Sequence, residues 1–230
     1  MRTLKFTKMQ GAGNDFVMLD GIRQRIEPTP SLIRFLADRR FGIGADQVLM
    51  VERARVSGVD FRYRIFNCDG DEVEQCGNGA RCFAVFVREE GLTDKSRIRV
   101  ETMKAVIEPE VRPDGRVTVN MGPARKVPEE LPFVPDGLEC LAEGASKIYH
   151  AHLSNSDAWF SAVSMGNPHA VIRVDDVDVA PVAEVGSQME HFSAFPSRVN
   201  VGFLQVVSRT SGRLRVWERG AGETLACGTG

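Results

Sequence analysis

Two cysteines of the 230-residue chain, Cys76 and Cys227, each stand directly before a glycine. A thiol has an ordinary pKa of about 8.5, so one cysteine held as thiolate and another held as thiol form a base and an acid near neutral pH. Inverting a carbon that carries a hydrogen requires such a pair, with one group on each face. The pair therefore predicts proton transfer at a stereocentre of a small molecule.

An internal repeat supports the pairing, because both cysteines occupy the same repeat position. At an offset of 227 − 76 = 151, YRIFNCDGDEVEQCGNG (63–79) aligns without a gap on LRVWERGAGETLACGTG (214–230). The identical pairs are Arg64/Arg215, Glu72/Glu223, Cys76/Cys227, Gly77/Gly228 and Gly79/Gly230. Gly13-Asn14 also matches Gly166-Asn167, and Gly44-x-x-Gln47 matches Gly202-x-x-Gln205. The repeat predicts two homologous half-domains, 1–121 and 122–230, whose cysteines face each other across a cleft.

The segments around the cysteines predict how a substrate is held. Backbone amides in the two glycine-rich turns are expected to bind a carboxylate and to stabilise the charge that develops on deprotonation: Gly77, Asn78, Gly228 and Thr229. The same amides are expected to lower the pKa of the thiols. Asn67 and Glu218, at one repeat position, predict contacts with an ammonium group.

Other residues have a structural interpretation as well as a functional one. A lone histidine such as His169 is as often structural as catalytic, and asparagines such as Asn14 and Asn167 are usually turn formers. The matched positions of the two asparagines favour function. The other three cysteines are predicted to be structural, Cys82 as a small core residue inside a helix, and Cys68 and Cys140 as residues that either fill space or lie in loops.

Periodic patterns predict the elements that position these residues. Strands are predicted at 59–65, 97–101, 105–111, 116–121, 159–164, 169–174 and 201–207. Helices are predicted at 31–40, with Leu32, Phe35 and Leu36 on its apolar face, at 77–90 with Gly91 as C-cap, and at 179–191. The proline-rich segment 123–137 is interpreted as a linker.

Composition excludes several classes of function. The formal net charge of −2 supplies no basic surface for nucleic acid, and no run of about 18 apolar residues is available to span a membrane. No CxxC pair supports a zinc site, although His150 and His152 lie close in sequence. No phosphate-binding glycine motif or Schiff-base lysine supports a cofactor. We therefore expect a cytoplasmic protein with neither metal nor cofactor.

Six motifs resemble those of the diaminopimelate epimerase family, in the family's order and across the whole chain. They are GAGNDF (11–16), GIGADQ (42–47), FNCDGDEVEQCGNGARC (66–82), SMGNPH (164–169), RVN (198–200) and ERGAGETLACGTG (218–230). The resemblance implies an isomerase that interconverts LL- and meso-diaminopimelate for lysine and peptidoglycan synthesis. It also implies a mixed α/β fold of two pseudo-symmetric halves, each a sheet around a central helix, and a homodimer.

The resemblance assigns roles residue by residue. Cys76 and Cys227 would be the acid and base, and His169 and Glu218 would tune their pKa values. Substrate contacts would be Asn14, Gln47, Asn67, Gly77, Asn78, Asn167, Asn200, Glu218, Arg219, Gly228 and Thr229.

Two departures from the family pattern qualify these expectations. Cys68 replaces a small residue close to the site. The first half continues past Cys76 with a helix and strands, whereas the chain ends three residues after Cys227. The repeat therefore predicts a truncated second half that lacks the helix expected to support Cys227.

Alternative functions remain open at this point. A proline racemase-like enzyme would lack the Glu-Arg and paired-asparagine set, and a phenazine-pathway-type isomerase would lack the cysteine pair. A redox-regulated amino-acid-binding protein, with the two cysteines forming a regulatory disulfide, is an alternative from another class.

Overall fold

The structure, a computed structural model, describes residues 3–73, 77–144 and 146–230. The chain divides into two compact units, Met1–Asn120 and Met121–Gly230. The described elements of the first unit are β1 (Thr7–Gly11), β2 (Asn14–Asp20), α1 (Pro30–Ala37), β3 (Gln47–Arg53), β4 (Phe61–Asn67), β5 (Glu72–Val73), α2 (Gly77–Glu89), β6 (Val100–Glu101), β7 (Val106–Ile107), β8 (Glu110–Val111) and β9 (Val117–Thr118). Those of the second unit are a 3-10 helix (Pro128–Glu130), β10 (Cys140–Glu143), β11 (Ser146–His152), β12 (Asp157–Ser164), β13 (Pro168–Arg173), α3 (Val182–Glu190), β14 (Asn200–Ser208), β15 (Ser211–Glu218) and β16 (Gly222–Thr224).

Each unit is built on a mixed seven-stranded sheet. In the first, the order is β1-β2-β3-β4-β6-β7, with β5 pairing β4 off this path, and in the second it runs from β10 to β16 in sequence order. The run β1 to β5 pairs antiparallel, parallel, antiparallel and antiparallel, and the run β12 to β16 repeats that pattern. The helices α1 and α3 each connect the two parallel strands. The predicted fold class, two mixed α/β halves built on one plan, is confirmed.

The same ion pair recurs in both sheets. Arg64 donates from Nε and Nη2 to the two carboxylate oxygens of Glu72, at 2.8 and 2.6 Å. Arg215 does the same to Glu223, at 2.7 and 3.0 Å. In each case the pair joins adjacent antiparallel strands, β4 to β5 and β15 to β16. The identities seen in the repeat therefore include a shared strand-to-strand contact.

Sheet register corrects one predicted match of the repeat. Phe16 lies opposite Gln47 in the first parallel pair, and His169 lies opposite Asn200 in the second. The corresponding residues of the two pairs are separated by the same 153 positions (169 − 16 and 200 − 47), so Asn200 is the equivalent of Gln47. Gln205 lies inside β14 opposite Arg213, and the predicted match of Gln47 with Gln205 is wrong.

Strands β2 and β3 are buried on both faces. Phe16, Met18, Leu49 and Val51 pack with residues of α2, whereas Val17, Leu19, Val48 and Met50 pack with residues of α1. Strands of this kind are continuous apolar runs without period-2 alternation. The predicted strands therefore do not include these two, although they carry Asn14 and Gln47.

Two of the predicted helices are confirmed and the third differs. Helix α2 buries Ala80, Phe83, Ala84 and Val87 on one stripe, and Gly91 follows it with a φ of +63°, as expected of a C-cap. Helix α3 covers the core of the predicted segment 179–191.

The helix predicted at 31–40 ends earlier, and its predicted apolar face is only partly confirmed, since Leu36 is buried and Leu32 packs against the core. Thr29 caps its start by accepting a hydrogen bond from Leu32 N at 3.3 Å. Asp38 takes an extended conformation and accepts hydrogen bonds from Arg40 N and Phe41 N, both at 2.7 Å, which ends the helix. Phe35, predicted on the apolar face, is 57% exposed.

The segment 123–137 is part of the second unit and not a linker. Leu131 and Phe133 belong to that unit's apolar core, and Phe133 stacks on Phe195 with a centroid distance of 4.8 Å. Val134 N donates to Ala194 O at 2.8 Å. Proline marks an irregular backbone here, and the apolar residues between the prolines determine where it packs.

Other predictions were partly wrong. The strands predicted at 97–101, 105–111 and 116–121 shrink to two-residue pieces, β6 to β9. Cys82 is buried as expected, and Cys68 and Cys140 are exposed, so that, of the two options left open for them, neither residue fills the core. Among the helices of the described ranges, none is long and apolar enough to cross a membrane.

Candidate functional site

The predicted site residues of the first unit lie at one edge of its sheet. Asn14 begins β2, Gln47 begins the parallel strand β3, and Asn67 ends the antiparallel strand β4. Gln47 is paired with Asn67 across the two strands, and Gln47 Nε2 donates to Asn67 Oδ1 at 2.8 Å. Gln47 Oε1 is buried and accepts no hydrogen bond from the described residues. It is therefore an available acceptor at this edge.

A carboxylate network fixes Asn14. Asp46 Oδ2 accepts from Asn14 Nδ2 and from Asp15 N, both at 3.0 Å, and Asp15 Oδ1 accepts from Asp46 N at 2.8 Å. Arg39 binds both carboxylates. Burial would raise the pKa of Asp15, but hydrogen bonds from Arg39 and Lys8 outweigh it and hold that pKa well below its ordinary value. These positioning residues carry no local sequence signal that predicts their contacts with Asn14.

The amino end of α2 carries two more of the predicted residues, Gly77 and Asn78. Asn78 is buried, and its Oδ1 accepts from Arg81 Nη2 at 2.7 Å. A side chain at Gly79 would bring its Cβ within 2.6 Å of the Tyr63 hydroxyl, so this turn of the helix lies directly on β4. Cys76, the predicted catalytic residue before the helix, lies outside the described residues.

The second unit places its predicted residues at the corresponding edge of its sheet. Asn167 precedes β13, His169 is the second residue of that strand, Asn200 begins β14 and Glu218 ends β15. Asn67 and Glu218 are thus each the last residue of equivalent strands, as the repeat predicted. Parallel pairing of His169 with Asn200 aligns the first two of these strands.

A chain of hydrogen bonds links Cys227 to His169. Cys227 Sγ lies 3.3 Å from Thr229 Oγ1, which lies 2.9 Å from His169 Nε2. Asn167 Oδ1 lies 3.2 Å from the same ring nitrogen. Gly228 stands inside the turn, which is closed by Gly230 N donating to Cys227 O at 3.3 Å. Four predicted residues therefore meet in the second unit around one thiol.

Burial determines the charge of His169. The imidazole is almost fully buried, and burial, with a smaller effect of the Arg219 cation, lowers its pKa to about 4. His169 is therefore neutral near pH 7. It acts on the thiol network through hydrogen bonds and not through a positive charge.

The pKa of Cys227 departs from the sequence-based expectation. Burial raises it, the Glu218 carboxylate raises it further, and hydrogen bonds with Thr229 oppose this by a smaller amount. The predicted lowering by glycine-turn amides is therefore wrong for Cys227, because burial and the adjacent carboxylate outweigh the local dipoles. The structure holds Cys227 as a thiol, the form of a proton donor.

Hydrogen bonds from neighbouring strands hold Glu218 and Arg219. Thr224 Oγ1 donates to Glu218 Oε1 at 2.5 Å, and Arg219 N donates to Asn200 Oδ1 at 2.9 Å. Behind the turn, Glu190 accepts from Trp217 Nε1 at 2.8 Å and from Gly220 N at 2.9 Å. Glu190 was not predicted, since nothing in its local sequence indicates that it reaches this turn.

Comparison with known proteins identifies relatives along nearly the whole chain. The sequence model of the diaminopimelate epimerase family matches residues 6–127 and 161–230. The protein named diaminopimelate epimerase from Cupriavidus taiwanensis is 60% identical over 227 residues, covering 99% of this chain and 79% of the relative. The protein of the same name from Chromobacterium violaceum is 60% identical, covering 99% and 80%.

Solved structures share the fold at low sequence identity. A hydroxyproline epimerase from Agrobacterium vitis superposes with a TM-score of 0.67 at 16% identity, covering 97% of this chain and 72% of that one. A phenazine biosynthesis protein from Bacillus anthracis gives 0.64 at 17% identity, covering 100% and 77%. The fold is thus one shared by epimerases, racemases and phenazine biosynthesis proteins. Within that group, the chain belongs to the diaminopimelate epimerase family.

Proposed function

We propose that this protein is an isomerase that interconverts LL- and meso-diaminopimelate by moving a proton at one α-carbon. Family membership carries this proposal, since relatives named for this activity are 56–60% identical over 99% of the chain. The racemase, phenazine-type and amino-acid-binding alternatives are not favoured, because the racemase-like and phenazine structures agree in fold at only 16–17% identity.

Cys76 and Cys227 are the proposed proton-transfer groups. In one direction, the Cys76 thiolate removes the α-proton and the Cys227 thiol delivers its proton to the opposite face, so each sulfur ends in the other's starting form. The raised pKa of Cys227 supports its role as the donor in this direction. The reverse reaction exchanges the two roles.

The residues at these strand ends in the two sheets are proposed to hold the substrate. Amides of Gly77, Asn78, Gly228 and Thr229 would bind the α-carboxylate, and Glu218 with Asn67 would bind the α-ammonium group. Oε1 of Gln47, which is buried and accepts no hydrogen bond within the described ranges, offers another acceptor for an ammonium hydrogen. The second amino-acid end of the substrate carries an ammonium group and a carboxylate. We assign the remaining predicted contacts to that end: Asn14, Asn167, Asn200 and Arg219.

No organic cofactor enters this mechanism. The α-proton of an amino acid is weakly acidic, so the carbanion requires stabilisation by the amides around the carboxylate. Neutral His169, through Thr229 Oγ1, orients the Cys227 thiol. His169 is therefore proposed as a positioning residue.

Solvent-deuterium exchange tests the proposal. LL-diaminopimelate is incubated in deuterated water with reduced wild-type protein, and α-deuterium and meso product are followed by mass spectrometry and chiral chromatography. Removing an acid or base costs about 10²- to 10⁴-fold in rate, so Cys76→Ala and Cys227→Ala should each lose epimerisation to that extent. The exposed Cys68→Ala is the matched control and should retain the wild-type rate. Wild-type protein without exchange, or a catalytic variant at the wild-type rate, would refute the proposal.

Homodimer formation and a cytosolic location are proposed from the family resemblance. The net charge of −2 supports a small-molecule partner over nucleic acid. Light scattering coupled to gel filtration tests the assembly, and a monomer at micromolar concentration would exclude the dimer. Cell fractionation tests the location.

A further inference from the structure

Two histidines and an aspartate meet on the hairpin formed by β11 and β12. His150 and His152 are two residues apart on β11, so both side chains lie on the same face, opposite to that of the buried Tyr149 and Ala151. Asp157, the first residue of β12, pairs directly with His152. One ligand atom from each of the three lies within 4.8 Å of the others.

The distances suit a small cation. Asp157 Oδ1 lies 2.9 Å from His152 Nδ1 and 3.9 Å from His150 Nε2. Ligands of tetrahedral zinc at about 2.0–2.1 Å from the metal stand roughly 3.3 Å apart. Small rotamer changes of the exposed His152 and Asp157 side chains would bring both separations to that value.

The ring of His150 is already oriented. It stacks on Trp159 with a centroid distance of 4.6 Å and an interplanar angle of 12°. Its Nδ1 is buried and forms no hydrogen bond with the described residues, although Glu139 Oε2 lies 3.4 Å away. A metal on Nε2 places the ring hydrogen on Nδ1, and Glu139 is then positioned to accept it, as carboxylates beside metal-bound histidines do.

We propose that His150 Nε2, His152 Nδ1 and Asp157 Oδ1 form a binding site for a divalent cation of the zinc class. Two imidazoles and a carboxylate suit zinc and its transition-metal neighbours, and do not suit magnesium or calcium, which prefer oxygen ligands. Since His152 is 77% exposed, water would complete the coordination. The cation would join the two strands of the hairpin.

The site is remote from the edge that carries Cys227. Asp157 begins β12 and Ser164 ends it, next to Asn167 and His169. Seven residues of strand span about 24 Å at roughly 3.4 Å per residue. Loss of the metal site is therefore expected to leave the kinetics of proton transfer unchanged, which separates this proposal from the proposed function.

The sequence lacks paired cysteine ligands, and the expectation of no metal rested on that lack. In a strand, ligands at i and i+2 lie on one face, and the third comes from the neighbouring strand. Only the register of β11 on β12 brings Asp157 to the histidines.

Cobalt(II), used as a spectroscopic substitute for zinc, and zinc itself are the probes. Reduced wild-type protein is titrated with each, and affinity is measured by calorimetry. Cobalt(II) absorption separates nitrogen and oxygen ligands from cysteine thiolates, whose charge-transfer band would reveal binding elsewhere. Bound cobalt(II) should also quench Trp159, which stacks on a ligand ring, and Trp159→Phe should abolish that quenching.

His152→Ala and Asp157→Asn should each weaken binding roughly tenfold or more. His191→Ala, which removes another exposed histidine, should bind as wild type does. Zinc should raise the thermal midpoint of the wild type and not that of His152→Ala. Binding that is absent, unchanged in both ligand variants, or accompanied by a thiolate band would overturn the proposal.

Discussion

His169 makes stability depend on pH. Its folded-state pKa of about 4 lies below the ordinary 6.5, so between these values the unfolded chain binds a proton that the folded chain does not. The free energy of unfolding therefore falls as pH falls from about 6.5 towards 4. The difference, 6.5 − 4, corresponds to roughly 3 kcal/mol.

We expect His169→Gln to lose most of this pH dependence. Urea denaturation at about pH 7.5 and pH 4.5 measures it, with exposed His191→Gln as the control. A variant as pH-sensitive as the wild type would show that other groups cause the loss.

Glu218 affects the thiol of Cys227 as well as the proposed substrate ammonium group. Its negative charge disfavours the thiolate, although burial is the larger cause of the raised pKa. Glu218→Gln should therefore lower the pKa of Cys227, without bringing it to the value of an exposed cysteine.

The rate of alkylation of Cys227 against pH measures this shift, with mass spectrometry to separate it from the other four cysteines. Glu184→Gln, in the first turn of α3, is the control and should leave the profile unchanged. Equal profiles for wild type and Glu218→Gln would contradict the assigned electrostatic effect.

At the scale of elements, α3 is joined to the end of β15 through Glu190. This carboxylate is 4% exposed and binds Trp217 Nε1, Gly220 N and the Arg198 guanidinium, the last at 3.1 Å. The turn that it holds carries Glu218 and Arg219. A buried charge with several donors is a strong positioning device, because its loss leaves those donors unpaired.

Glu190→Gln is expected to cost roughly 1–3 kcal/mol of stability and to lower kcat/KM for the proposed epimerisation. The glutamine amide retains one acceptor oxygen, but its NH2 group is a donor and faces donors that the carboxylate had paired. Chemical denaturation and steady-state kinetics measure the two effects, and Glu184→Gln on the same helix should change neither. A stable variant with wild-type kcat/KM would exclude the positioning role.

Sequence patterns placed the proposed site residues at equivalent repeat positions more accurately than they placed the elements that carry them. The repeat placed Asn67 and Glu218 at equivalent positions, and both end equivalent strands. The residues that hold the site, Asp46 against Asn14 and Glu190 against Gly220, act across 32 and 30 positions. Contacts at such separations depend on register and helix packing, which local periodicity does not encode.

At the scale of the whole molecule, the two larger errors of the sequence-based prediction have the same cause, since both concern contacts that local patterns do not encode. The strand register makes Asn200 the equivalent of Gln47. The sequence match had paired Gln47 with Gln205 because both residues are glutamine. The segment 123–137 was interpreted from its prolines, whereas burial of Leu131 and Phe133 places it in the second unit. Residue identity and turn chemistry are local signals, and tertiary packing overrode both.

Among the described residues, the apolar clusters of each unit consist of that unit's own side chains, and this organisation predicts how the molecule responds to core mutations. Phe83 is fully buried in the first unit and packs edge-on against Tyr63 at 5.5 Å. Phe160 is fully buried in the second and contacts Phe133 at 5.9 Å. Leucine at either position removes part of the ring volume, which should cost roughly 1–2 kcal/mol.

Hydrogen exchange shows which unit loses stability in each variant. Since about 1.4 kcal/mol is a tenfold change in an opening equilibrium, Phe160→Leu should raise exchange roughly 5- to 30-fold in 121–230 and leave 3–120 nearly unchanged. Phe83→Leu should do the reverse, so each variant is the control for the other. If either substitution raised exchange equally along the whole chain, the two units would unfold as one cooperative body, and separate cores would not determine the stability of each.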